Sequence, residues 1–373
     1  MQRRAFLKQA GAGLAATAVA APAIAQSAPA IQWRLASSFP KSLDALFGAS
    51  EHFARRVAAL TGNRFQIRTH AAGELVPALQ VLDAVQAGTL EVGQTASYYY
   101  VGKDPAFAFG TTLPFGLNTR QQNAWMYGAG GIELMRELYK DYGIIQFPGG
   151  NTGAQMGGWF RKEIKSLADL KGLKMRIPGL QGQMMAKLGV VPQVIAGGDI
   201  YPALEKGTID ATEWVGPYDD EKLGFVKVAK FYYYPGFWEG TAQLDFIVNQ
   251  KKYDELPGEF KAALETASAE TNMWMTAQYD ARNADALRKL VASGAQLRAF
   301  PRPVMEAAHK AAFELYDELS AKSPHFKRIY GPWRAFRDNQ YLWFRVAENT
   351  FDNFVYSQSA RKPAAAAKKA AKK

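Results

Sequence analysis

Two stretches of the chain gather polar side chains among glycine, proline and aromatic residues, a composition that suits the lining of a small-molecule cleft. The first is Phe147-Pro148-Gly149-Gly150-Asn151-Thr152-Gly153-Ala154-Gln155-Met156-Gly157-Gly158-Trp159-Phe160. The second is Gly207-Thr208-Ile209-Asp210-Ala211-Thr212-Glu213-Trp214-Val215-Gly216-Pro217-Tyr218, and Arg176 stands between them. Signatures of bond-making chemistry are missing. His52, His70, His309 and His325 show no His-Glu-x-x-His or other metal spacing, and neither a Gly-x-Ser-x-Gly elbow nor a phosphate loop occurs. Gly128-Ala129-Gly130-Gly131 and Gly149-Gly150 lack dinucleotide spacing. The absence of cysteine excludes disulfides, thiolate metal sites and a Cys nucleophile. The expectation is a binding protein and not an enzyme; a metal-dependent hydrolase or lyase on the same scaffold would be told apart by turnover.

The elements that must position these stretches alternate. Residues 32–36 read as a strand, 43–60 as an amphipathic helix ended by Gly62, and 65–69 as a second strand. Further on, 174–177 is a strand before Pro178-Gly179, 182–188 a short helix closed by Gly189, and 190–195 another strand, a pattern that indicates α/β. Ala84-Val85-Gln86-Ala87-Gly88-Thr89-Leu90-Glu91-Val92-Gly93 can be laid over Ala203-Leu204-Glu205-Lys206-Gly207-Thr208-Ile209-Asp210-Ala211-Thr212 with Gly-Thr coincident. In both, a helix reaches a glycine able to take the left-handed conformation and a short strand follows. Two lobes of related build are implied, although helix-Gly-Thr-strand is also a common junction. The last third reads as helices over 257–292, 303–322 and 332–357. The final one carries Trp333, Phe336, Tyr341, Phe344, Phe351, Phe354 and Val355, a surface that must be buried against its own lobes or a second subunit.

With 373 residues and 48% hydrophobic content the chain can build two substantial cores. Arg3, Arg4 and Lys8, with six basic residues from Arg361 onward, account for nine of the net +11, so residues 26–360 carry only +2. A nucleic-acid groove is therefore not expected. Arg3-Arg4-Ala5-Phe6-Leu7-Lys8, a mild apolar stretch over 10–21 and Ala23-Ile24-Ala25 resemble a twin-arginine signal peptide over 1–25, with an ordinary secretory signal as the plainer reading; either implies the periplasm, or the outer face of a one-membrane cell. After it no 18-residue uncharged apolar run occurs, so no membrane-spanning helix is expected. Residues 361–373 are an Ala/Lys low-complexity tail, expected to be disordered.

Leu170-Lys171-Gly172-Leu173-Lys174-Met175-Arg176, then Gly198-Asp199-Ile200-Tyr201-Pro202-Ala203-Leu204, then Gly207 to Trp214 together resemble the solute receptors of TRAP transporters. Residues 151–159 and 213–222 resemble the 2-oxo-acid (alpha-keto acid) binding branch. The resemblance covers nearly all of 31–357 and stops short of the tail. It implies an α/β, two-lobed periplasmic solute-binding fold with crossing strands and long C-terminal helices. Lobe I would be 31–152 plus about 243–290, lobe II 153–242 plus about 291–322, and 323–360 a helical dimerisation segment.

The resemblance further implies that Arg176 grips the carboxylate of a pyruvate-like monocarboxylate. Gln155, Glu213 and Trp214 would hold a cation, Na⁺ or alternatively Ca²⁺, with Gln155 and Trp214 also at the ligand. The chemistry agrees. A guanidinium offers paired donors that match both carboxylate oxygens. Glu213 beside an anion would repel it unless a cation lay between, and carboxylate, amide and carbonyl oxygens are hard donors of the kind such ions take. At least one of Tyr98, Tyr99 and Tyr100 is expected to face the ligand, since tyrosine supplies an apolar wall and a donor together; Tyr232-Tyr233-Tyr234 reads as core. Each role has a plainer counterpart: a structural ion pair for Arg176, a solvated loop acid for Glu213, backbone satisfaction for Gln155. The implied partners are the TRAP membrane permease subunits and a second copy in a homodimer. A 2-hydroxy acid such as lactate, or a ligand-presenting sensor role, stands as the alternative.

Overall fold

The computed structural model describes residues 30–359, so the expected signal peptide (1–25) and tail (361–373) lie outside the described residues. In chain order the strands are β1 (Ile31–Ser37), β2 (Phe65–His70), β3 (Val92–Thr95), β4 (Ile144–Asn151), β5 (Trp159–Phe160), β6 (Lys174–Arg176), β7 (Val191–Gln193), β8 (Ala211–Thr212), β9 (Phe231–Tyr234), β10 (Gln243–Asn249) and β11 (Gln296–Ala299). They form two sheets, β2-β1-β3-β10-β4 and β11-β9-β5-β8-β6-β7, each the centre of one lobe. In the first sheet β1 pairs parallel with β2 and β3, while β10 pairs antiparallel with β3 and β4. Every residue of β10 is buried, as a strand covered on both faces must be. The strand after Gly189 is shorter than the expected 190–195, and the helix before it begins earlier, at Gly179.

The internal similarity is structural. Gly88 and Gly207 take φ of 74° and 72°. Thr89 N donates to Ala84 O and Thr208 N to Ala203 O, each at 3.0 Å, and the two helix ends feed β3 and β8, interior strands of their sheets.

The chain passes from the first sheet to the second through residues 152–158 and returns through 235–242. These two crossings clasp each other by backbone bonds, Thr152 N to Ala242 O (3.0 Å), Gln155 N to Glu239 O (3.1 Å) and Gly236 N to Gln155 O (3.2 Å), and Gly157 N donates to Tyr233 O (2.8 Å) at the end of β9. At Gly158, φ is 87° and an added Cβ would lie 2.2 Å from Thr212 O, so only glycine lets the crossing close on β8. Gly158→Ala is expected to cost at least about 2 kcal/mol. Differential scanning calorimetry would read this as a Tm drop of roughly 4–8 °C; an unchanged Tm would show that the approach to β8 does not fix the crossing.

A 35-residue helix, Gly258–Ala292, runs along both lobes. Its first half packs on β4 and the helix Leu46–Leu60, whereas beyond Met275 it packs on Pro217–Leu223, with Tyr279 Oη donating to Asp219 Oδ2 (2.8 Å) and Tyr218 N to Asn283 Oδ1 (3.1 Å). Assigning all of 243–290 to lobe I therefore needs correction, because this helix spans the two. The C-terminal segment also differs from the expected single helix over 332–357. One helix, Pro324–Val346, is capped by Ser323, whose Oγ accepts from Phe326 N, and takes Pro332 inside it; a second, Glu348–Ser359, follows Ala347. Trp333 is buried, while Leu342, Val346, Phe351 and Phe354 are each more than 60% exposed. Among the described residues no helix is long and apolar enough to cross a membrane.

Candidate functional site

Strands β6 and β8 run parallel in register, Arg176 opposite Thr212. Arg176 thus ends one strand and Glu213 leaves the next, at the carboxyl ends where open α/β sheets place ligands. Arg176 is 1% exposed. Its Nη1 donates to Glu213 Oε1 and to the Glu213 carbonyl (3.1 Å), its Nε donates to Ile195 O (3.1 Å), and its Cζ lies 4.9 Å from the Trp214 ring centroid. The fork points inward, and it is held in an ion pair with Glu213. This contact is the plainer counterpart of Arg176, a buried structural ion pair.

Glu213 is fully buried and its Oε2 has no partner. Burial pushes its carboxyl up to about 7, against the pull of Arg176. Gln155 sits on the outgoing crossing; its Nε2 donates to Thr152 Oγ1 (3.0 Å) and its Oε1 is unpartnered. A third orphan oxygen comes from a residue the sequence reading missed. Glu239, on the returning crossing, is fully buried, accepts from Gln181 Nε2 (3.0 Å) through Oε1 and leaves Oε2 bare. Burial, reinforced by Glu213, holds its carboxyl well above the usual range. The signal that could have found it is Pro235-Gly236-Phe237-Trp238-Glu239-Gly240, a third Gly/Pro/aromatic stretch like the two already noted.

Tyr98 and Tyr99 close the site from the first lobe, lining one small pocket together with Phe39, Gln155 and Trp214. Burial raises the Tyr98 hydroxyl well above 10, with Glu239 and Glu213 adding to it, and raises Tyr99 to about 12 while Arg176 draws it down. Tyr100 does not join them. Its hydroxyl accepts from Leu82 N (3.1 Å) and meets Thr95 Oγ1 at 3.0 Å inside lobe I, so its assignment to the ligand is corrected. The pocket measures about 20 Å³, the space of a single water. Arg176 and Glu213 pair with each other beside Trp214, which lines the pocket, and that contact leaves Glu213 Oε2 without a partner.

Gln155 Oε1, Glu213 Oε2 and Glu239 Oε2 are three buried oxygens without donors, and one guanidinium faces two carboxyls. With both acids ionised the set carries a net −1 that a cation would remove, so this donor set fits a hard cation. Among the described residues no three His, Asp or Glu side chains gather into a metal cluster. Three side-chain oxygens are fewer than the roughly six to eight that a cation such as Ca²⁺ takes, so an ion here would have an incomplete protein shell.

Comparison with known proteins identifies the scaffold. The profile of DctP, bacterial extracellular solute-binding protein, family 7, matches residues 36–323. The chain belongs to this family. The family is one of solute-binding receptors, not enzymes. A monocarboxylate 2-oxoacid-binding periplasmic protein of Nostoc sp. is 51% identical over 363 residues, 96% of this chain and 100% of that one. A TRAP transporter solute-binding protein of Bordetella bronchiseptica is 54% identical at a TM-score of 0.88, covering 90% of this chain and 99% of its own. That structure is a mixed-occupancy dimer with copurified calcium and picolinate in the active site against an apo site. A TRAP periplasmic solute-binding protein of Pseudoalteromonas atlantica, with bound sodium and pyruvate, is 42% identical at a TM-score of 0.84, covering 87% and 98%. The family's two lobes are those described above, with the Arg176–Glu213 pair buried between the crossings and the first-lobe tyrosines.

Proposed function

We propose that the protein is the periplasmic receptor of a TRAP transporter, capturing a short 2-oxo monocarboxylate such as pyruvate together with Na⁺ or Ca²⁺ and delivering both to membrane permease subunits. The observation that carries this reading is the buried Arg176 fork beside three unpartnered oxygens, on Gln155, Glu213 and Glu239. Gln155, Glu213, Glu239 and the Trp214 carbonyl would hold the ion. When bound, the ion supplies positive charge to the carboxylate and 2-oxo oxygens of the ligand. Arg176, drawn off Glu213, pairs with the carboxylate through two N–H donors. Tyr98 and Tyr99 exclude water, and their raised hydroxyls remain neutral donors at any physiological pH. The sodium and calcium ligand complexes of the Pseudoalteromonas and Bordetella proteins support this assignment.

Because the protein shell for the ion is incomplete, ion and ligand should favour each other's binding, and by linkage reciprocally so. Calorimetry of the mature chain with pyruvate, lactate and longer 2-oxo acids tests it. In choline buffer with a calcium chelator, pyruvate is expected to bind at least about tenfold more weakly than with Na⁺ or Ca²⁺, a difference of roughly 1.4 kcal/mol. Equal affinity with and without the ions would remove the ion from the reading, and selection of a neutral polyol would remove the acid.

The exposed apolar face of the C-terminal helices supports a homodimer, as does the dimer of the Bordetella relative. A chain ending at Ala347 is expected to run as a monomer in light scattering where the full mature chain runs as a dimer; identical masses would place the contact elsewhere. Export by the twin-arginine route rests on Arg3-Arg4. Arg3→Lys with Arg4→Lys is expected to leave the precursor in the cytoplasm by fractionation, and normal export would assign an ordinary secretory signal.

A further inference from the structure

A cavity of about 800 Å³ lies on the far side of the two crossings from the small pocket, between them and the helix Pro324–Val346. Gln155 lines both, and Glu239 lines the larger one. The opposite wall is built around Arg337, whose Cζ also lies 5.5 Å from the ring centroid of Trp333 in the core. Arg337 is 6% exposed. Its Nε and Nη2 donate to Asp338 Oδ1 at 3.0 and 2.6 Å, while Nη1 is buried without a partner. Aromatic rings flank the guanidinium, with Cζ 4.8 Å from the Phe313 centroid and 5.4 Å from that of Tyr341. Phe115 stacks on Phe237 at 5.1 Å and completes an apolar side. Arg334, exposed on the same helix, lines the opening.

We propose that this cavity is a second carboxylate site, in which Arg337 binds a monocarboxylate with an aromatic or branched body. The inference goes beyond the receptor reading and does not rest on it. A buried guanidinium N–H with no acceptor is a group that a carboxylate oxygen satisfies with a charge-assisted bond. The rings around it give an apolar body its contact area, as ligand sites with one fixed charged anchor do. Glu239 lines the wall facing Arg337, so an anion is placed at the Arg337 side of the cavity, away from that carboxyl. His309, in edge contact with Phe115 at 5.0 Å, is held toward neutral by burial and by Arg337, so it leaves Arg337 as the buried cation of this wall.

The probe is phenylacetate, which has a ring and a carboxylate but no 2-oxo oxygen to offer an ion. Calorimetry on the mature chain, saturated with pyruvate and Ca²⁺, is expected to show one phenylacetate bound per chain, with the same affinity in Arg176→Gln. Arg337→Gln is expected to weaken it at least about tenfold, the loss of one charge-assisted bond. Arg334→Glu, on the exposed face and harmless to the core, is expected to weaken it about threefold by reversing a charge at the opening, and it decides the case should the Arg337 variant fail to fold. Displacement of phenylacetate by pyruvate, indifference to both arginine variants, or no binding at millimolar concentration would each overturn the second site. Because the Arg176→Gln arm needs no pyruvate, a receptor that proved to bind some other solute would leave this test intact.

Discussion

Arg176→Lys is expected to weaken pyruvate binding by at least about 100-fold, close to 3 kcal/mol, within the range measured when one member of a buried charge pair is removed. Charge is conserved in this change, so the size of the loss tests geometry. Lysine carries a single point of donation on a flexible stem, whereas the guanidinium simultaneously bonds Ile195 O and the Glu213 carbonyl and lies over Trp214. An ammonium cannot keep those anchors and also present two parallel donors to an acid. The control is Arg288→Lys, whose side chain is 72% exposed and should change affinity by less than about twofold. Calorimetry of the two variants gives the comparison. A loss at Arg176 no larger than at Arg288 would place the ligand somewhere other than at the end of β6.

The second large effect concerns acidity. Glu213, Asp219, Asp220 and Asp245 are all buried, and burial pushes each carboxyl up to about 7. The last three are embedded in hydrogen bonds: Asp219 with Tyr279, Asp220 with Trp159 and Tyr232, Asp245 with Ser97, Gln146 and Gln243. Unfolded, these groups titrate near 4. Between about pH 4 and 7 the native chain therefore binds more protons than the unfolded one, so stability is greatest on the acid side of this window and is lost as pH rises through 7. The ion-free protein is expected to melt about 5 °C higher at pH 5.5 than at pH 7.5, roughly 2 kcal/mol for a chain of this size. Pyruvate with Ca²⁺ is expected to raise the pH 7.5 value more than the pH 5.5 value, because binding the ion demands an ionised Glu213. Calorimetric melts at the two pH values, with and without ligand, read both effects. A Tm that falls on acidification would mean that the hydrogen bonds to these carboxylates outweigh their burial.

Much of the site was legible because its residues are ordered by strand register. A Gly-Thr junction delivers β8 beside β6, and that alone brings Glu213 next to Arg176. Gln155 was legible through the company it keeps, glycines that let one crossing clasp the other. Glu239 escaped because its Gly/Pro/aromatic stretch does not by itself tell a buried acid from a solvated one; the meeting of the two crossings, with Gln155 N bonded to Glu239 O, removes its water. The tyrosine run could not be resolved because it folds as a 3₁₀ turn over Ser97–Tyr100. Successive side chains in such a turn rotate by about 120°, so Tyr98 and Tyr99 reach the pocket while Tyr100 turns back to Leu82 and Thr95. The lobes followed from alternation of helix and strand. The reach of the helix Gly258–Ala292 across both did not, since its apolar face continues without a break and its partners change only in three dimensions.

At about 1.5 Å per residue that helix is roughly 52 Å of continuous rod, fastened to one half of the molecule along its first turns and to the other half along its later ones. A spine of this kind limits how the jaws part. Any parting of the two halves must bend this beam or unpack it from one of them, so the rod confines the gap to the openings it allows.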